Sequence, residues 1–293
     1  MQNWIYFALI AQGIWALTSL IDKFVISKNY IKNPLVYIVL NGVMNVFLIF
    51  LLPFVGFEPL KLIDFLIALF AGIALSAAVA IYYKAVQYDE ISRVVILFQL
   101  IPVFVLILSL LFLGEVLTKN HFMGFLFLLS AGVVVSLKKT GNLFRLSKAF
   151  YYMLISALMS ATAFVAAKHI YSVTSFWSAF LWLRLSAFTA LFVLFMPSIR
   201  NQFTETFKNM KNGVKSLLTF KMVIDFSAFI FSGYAILNGP ASLVSALGFS
   251  VAPLFVFILT LITSVYFPKL VKEEISKMAI LTKLLAIVLI VAG

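Results

Sequence analysis

The sequence predicts an all-α integral membrane protein, with ten transmembrane helices arranged as two inverted five-helix repeats. Three observations predict it. Hydrophobic residues fill 64% of the 293 positions and charged residues only 11%, a balance that a water-soluble domain does not support. Near-continuous apolar segments of about 17 to 25 residues recur along the chain, each long enough to cross a hydrocarbon core of roughly 30 Å as a helix. The two halves of the chain also match one another at constant offsets.

Lipid offers the backbone no hydrogen-bond partner, so apolar runs of this length close their bonds internally as helices rather than as open strands. The first covers 4 to 22. It begins at Trp4 with neither a basic leader nor a small-x-small cleavage pattern, so it is read as a spanning helix and not as a removable signal peptide. The next four cover 34 to 55, 62 to 83, 91 to 113 and 121 to 137. A basic polar connection, Lys138 to Lys148, marks the halfway point. The second five cover 149 to 167, 175 to 197, 217 to 237, 241 to 267 and 283 to the end, which gives one repeat over 1–140 and another over 148–293.

Leu9, Ile10, Ala16, Lys23 and Ser27 match Leu154, Ile155, Ala161, Lys168 and Ser172 at one offset. Tyr83, Pro102, Phe104, Val105, Ile107 and Leu108 match Tyr234, Pro253, Phe255, Val256, Ile258 and Leu259 at another. The tyrosine and the proline carry most of this, because apolar residues coincide often by chance. Five spans per half is an odd number, so the halves enter the membrane from opposite sides and form an inverted repeat. Gly124 to Gly132 pairs with Leu285 to Gly293, yet the first half continues through Leu137; the expectation is that the last helix once ran several residues further.

The chain lacks cysteine, which removes disulfides and thiolate metal sites. Its net charge of +12 sits in short loops between apolar runs, the pattern of orienting charges rather than of a nucleic-acid-binding face. One side of the membrane collects 16 Lys and Arg and the other 3, Lys61, Lys119 and Lys168. With basic loops retained in the cytoplasm, this count places both termini outside.

Tyr82-Tyr83-Lys84-Ala85-Val86 precedes the fourth helix, Pro102 lies within it, Phe112-Leu113-Gly114-Glu115 closes it, and Gly124 and Gly132 lie in the fifth. With two five-helix halves, this resembles a duplicated EamA domain of the drug/metabolite transporter superfamily. The second half departs from the pattern, with Ser264-Val265 where the Gly-Glu stop would fall. The resemblance implies solute movement through a cavity between helices one to four and six to nine, with the fifth and tenth peripheral. It also implies cytoplasmic termini, opposite to the charge count, and the orientation stays open between the two.

Arg184 lies near the middle of the seventh helix and Asp225 in the eighth, where an unpaired charge costs at least about 3 kcal/mol. Adjacent antiparallel helices bring them to similar depth, so an ion pair between them is expected. It is read either as a coupling and substrate-binding pair, Asp225 taking a proton or amine and Arg184 a carboxylate or phosphate, or as a fixed strut between two helices. Lys221, one turn from Asp225, is expected to snorkel to the interface. Pro102 and Pro253 interrupt corresponding helices near their centres, each freeing a carbonyl, and are read as hinges or as tolerated kinks. Gln99 and Ser250, three residues before those prolines, line a cavity or join helices. Asn41 and Asn45 share one face of the second helix, with the same two readings. Trp15, Tyr83 and Tyr234, with Tyr82 and Trp182, are candidates for stacking on a substrate, against packing or interface anchoring. Ala68, Gly72 and Ser76 recur every four residues and read as a close-packing face.

No metal ligand set, nucleophile–base pair or ATP-binding motif appears in the sequence, so an intramembrane enzyme is disfavoured and no cofactor is expected. The leading expectation is a gradient-driven secondary transporter of a small organic metabolite, an anion or zwitterion such as an amino acid, working by alternating access. The alternatives are a channel and a structural membrane scaffold. The expected partners are a small-molecule substrate and the lipid bilayer, with no nucleic acid. The expected location is the cell (inner) membrane of a prokaryote.

Overall fold

The computed structural model describes residues 3–28, 30–31, 33–88, 94, 97–136, 148–266 and 277–293. Every regular element among them is helical. Helix α1 spans Asn3–Ser27, and α2 spans Pro34–Val46 and tightens into a 3-10 segment, Phe47–Phe54. Helix α3 spans Leu62–Val86; a 3-10 turn, Leu97–Gln99, leads into α4, Leu100–Leu113; α5 spans Lys119–Ser136. The second half holds α6, Lys148–Val173, then α7, Phe176–Ser186, which tightens into a 3-10 segment, Ala187–Phe195. After them come α8, Pro197–Asn209, α9, Asn212–Asn238, α10, Ala241–Tyr266, and α11, Lys277–Ala292.

Among the described residues, six stretches are long and apolar enough to cross a membrane: Asn3–Asp22, Leu62–Ala85, Lys148–Val173, Phe176–Phe195, Asn212–Asn238 and Ala241–Leu259. Leu97–Leu113 and Lys119–Val134 are shorter apolar helices. Phe50, Phe54, Leu111, Phe112 and Phe195 stand exposed on the outside, where acyl chains rather than water satisfy them. The protein is an integral, multi-pass membrane protein.

The halves interleave. Helix α1 packs on α9 and α10, α3 on α6 and α7, and α4 on α6 and α10, while α5 and α11 lie against each other at the edge of the bundle. Small residues permit these approaches. Ala68, Ala71, Ala74 and Ala78 of α3 and Ala157 and Ala161 of α6 are all buried, and a side chain at Gly72 would collide with the backbone of Ser186. The buried Ser156 hydroxyl donates to the Ala78 carbonyl at 2.8 Å, joining the two helices where lipid could satisfy neither group.

The turn between α9 and α10 is pinned from outside itself. Lys168 of α6 donates to the carbonyls of Ile236 (2.7 Å), Leu237 (3.0 Å) and Gly239 (2.8 Å), groups that the end of α9 leaves without intrahelical partners. Glu115, just past α4, accepts from the Ala241 amide at 2.8 Å and lies 4.0 Å from Lys168.

One element differs from the sequence expectation, which read 198 to 215 as a loop. Pro197 starts a helix there, α8, at a position where its missing N–H costs nothing. Ile199 and Phe203, one turn apart, dock it onto the cluster of Val25, Val36, Val39 and Leu218. Its opposite face is polar, so it is an amphipathic helix and not a further span.

Candidate functional site

Two cavities lie among these helices, one of about 320 Å³ and one of about 740 Å³. Trp15, Leu75, Arg184 and Phe229 line both. These four residues form the waist between the chambers, two from the first half of the chain and two from the second. The smaller chamber is walled by alanines and by the small polar residues Ser160, Ser186, Ser232 and Ser245, with Gln12. The larger one carries the acidic residues: Asp22 and Asp225 line it with Lys221, beside Thr18, Tyr37, Asn45 and Ser76.

The expected Arg184–Asp225 ion pair does not form. Asp225 instead accepts from Lys221 at 2.6 Å and from the Thr18 hydroxyl at 2.7 Å. Lys221 precedes it by one turn of α9, so local geometry delivers this partner without any movement of neighbouring helices. Arg184 packs its guanidinium over the Phe229 ring, 4.0 Å from the centroid, and Trp15 meets the same ring edge-on at 5.3 Å. A ring face satisfies part of the charge through its quadrupole.

Lys221 does not snorkel. It is buried, and besides Asp225 it reaches Asp22 at 3.4 Å, while the Tyr37 hydroxyl donates to Asp22 and Lys221 lies over the Tyr37 ring at 5.5 Å. Asp22 was placed at the end of the first span by sequence, which left Asp225 as the sole acid in the apolar region. Helix α1 runs on to Ser27, so Asp22 is well inside it. Asp22, Tyr37 and Thr18 line the larger chamber and are candidate-site residues that sequence reasoning missed. The available signal was that Asp22 follows Thr18 by four residues, on one helical face.

The remaining candidates divide. Trp15 and Asn45 line cavities, Trp15 at the waist and Asn45 in the larger chamber. The side chain of Asn41 lies outside the described residues. Tyr83 packs on Tyr82 at 5.2 Å, and Tyr234 stacks on Phe176 at 3.8 Å; neither lines a chamber. Ser250 is buried, its hydroxyl donating to Leu247 within its own helix at 3.0 Å. Ser76, read as packing, also lines the larger chamber while donating to Gly72 at 2.9 Å.

Gln99 joins helices rather than lining a cavity, and it explains a proline. Pro253 sits inside α10, where it deprives the Phe249 carbonyl, four residues earlier, of its helical donor. Gln99 Nε2 donates to that carbonyl at 3.1 Å. Pro102 stands in the first turn of α4, directly after the 3-10 turn Leu97–Gln99.

Residues 2–137 match the EamA-like transporter family. The match covers the first half of the chain, and this family's members are membrane transporters of small molecules. Among curated proteins none matches. A solved structure described only as "Crystal structure of protein" shares 17% identity and a TM-score of 0.70, over 99% of this chain and 97% of that one, a likeness of fold. No group of three or more His, Asp or Glu that could hold a metal forms among the described residues.

Proposed function

We propose that the chain is a gradient-driven carrier of ten spanning helices, two inverted repeats over 1–140 and 148–293, moving a small organic anion or zwitterion by alternating access. The observation that carries this is the waist. Two chambers, each large enough for part of a small metabolite, meet at a cation, two aromatic rings and a leucine drawn from both halves of the chain. Rocking the halves against each other opens one chamber while closing the other around such a centre. Arg184 is the group that recognises a carboxylate or phosphate, held in place by Phe229. The amine end of a zwitterion, such as an amino acid, faces the carboxylates of the larger chamber. The neutral hydroxyls of the smaller chamber bind polar groups without selecting charge.

The test begins with thermal-shift screening of the purified protein against metabolites, because a ligand that binds the folded state raises its stability. Flux of the hits is then measured in proteoliposomes. Arg184→Gln is expected to lower flux of an anionic or zwitterionic hit by about tenfold or more, the equivalent of one lost charge-assisted hydrogen bond. Phe229→Leu is expected to do so to a lesser extent. Flux unaltered by Arg184→Gln would remove the waist from the transport path.

A further inference from the structure

Asp22 and Asp225 belong to opposite halves of the chain and share one lysine. Lys221 Nζ lies 2.6 Å from Asp225 Oδ2 and 3.4 Å from Asp22 Oδ1. The other polar groups around this cluster come from every neighbouring element. Thr18 of α1 and Tyr37 of α2 each donate a hydrogen bond to a carboxylate, and Tyr83 of α3 lies within electrostatic reach of Asp22. Arg184 of α7 shares the chamber, but its guanidinium is held over Phe229, a turn further along α9 than Asp225.

Hydroxyl donors steady a carboxylate without cancelling its charge. Among the described residues, two carboxylates against one ammonium therefore leave the cluster with one uncompensated negative charge. Between membrane-spanning helices an uncompensated charge costs at least about 3 kcal/mol, and two acids sharing a site resist ionising together. One added proton removes the deficit.

We propose that Asp22 and Asp225 jointly bind a single exchangeable proton, with Lys221 as the tethered counter-charge that holds the number at one. The proton adds to an oxygen of either carboxylate from the larger chamber and leaves from the same oxygens. This deepens the carrier reading and rests on it for one consequence: the neutral cluster is the form enclosed while the chambers exchange access, so one proton crosses per cycle.

Difference infrared spectroscopy of the full chain in lipid, with aspartate side-chain carbons isotope-labelled, reads the protonated carboxyls of the aspartates apart from those of the glutamates. The expected pattern is one proton-dependent band from this cluster, lost in Asp22→Asn and equally in Asp225→Asn. The band doubles in Lys221→Met and returns to its single intensity in the Lys221→Met/Asp22→Asn double variant. Thr18→Val removes a neutral donor, and the band is expected to shift in frequency while keeping its intensity. A wild-type band indifferent to either asparagine substitution, or one that does not grow in Lys221→Met, overturns the proposal. Solute flux is scored separately. Flux unaffected by an imposed proton gradient overturns the per-cycle coupling alone, because the band pattern depends on no solute.

Discussion

Among the described residues, Lys168 and Lys221 are drawn into the bundle, and they are satisfied in opposite ways. Lys168 gives its ammonium protons to three backbone carbonyls at the end of α9, where the helix dipole already presents partial negative charge. Its one acidic neighbour, Glu115, is itself bound to the start of α10. Lys221 meets two carboxylates on the wall of a chamber. The first arrangement is built mainly from backbone carbonyls, which do not titrate, and ties a turn in place. The second leaves a charge to be balanced by something that arrives and departs. A buried lysine says little by its identity; the inventory of its partners separates a structural cation from one that takes part in exchange.

The sharpest way to break this comparison is Lys168→Met. Three carbonyls lose their donor, and the expected loss is about 3 kcal/mol, seen as a lowered unfolding temperature in detergent. Most of that loss persists at acid pH, since carbonyls bind no protons there. Lys221→Met is expected to cost about 3 kcal/mol near neutrality, and the cost shrinks as the pH falls, because protonation discharges the two carboxylates that it leaves unpaired. Thermal unfolding across a pH series separates the two variants, and parallel losses at every pH would mean that both lysines are structural.

A smaller effect belongs to the interior break of α10. Gln99→Leu is expected to cost about 1 to 2 kcal/mol by stranding the Phe249 carbonyl. In a Pro253→Ala background, where the helix regains its own donor, the same change costs less; equal losses in both backgrounds would mean Gln99 acts by packing. The smallest effect marks the far end of the scale. Lys215 sits over the Phe207 ring at 4.7 Å on the exposed face beside α8, and Lys215→Ala is expected to cost under about 1 kcal/mol, measured by the same unfolding assay.

The fold was largely legible because the signal repeats. Each apolar run from Trp4 onwards falls on helix wherever residues are described, and small residues such as Gly72 marked a close approach before its partner, Ser186, was known. The site was legible only in its membership. Arg184, Asp225, Trp15 and Asn45 do face the chambers, since polar groups in an apolar span have few other places to go. Their pairing was misread. Arg184 met an aromatic ring, and phenylalanine is too abundant here, 32 in the chain, for any one ring to announce itself. Asp22 was passed over because the sequence reading placed it at the very end of the first span, whereas α1 continues to Ser27.

By itself the sequence determined that the chain lies in lipid as a bundle of helices, because apolar thickness and backbone hydrogen bonding constrain a run of residues one at a time. Only the tertiary structure decided which partner each enclosed charge would have. That choice depends on distances between helices remote in sequence: Asp22 and Lys221, Lys168 and the end of α9, Gln99 and the carbonyl that Pro253 sets free. Local spacing specifies a helical face, but the rotation and depth of each helix against its neighbours set what that face meets.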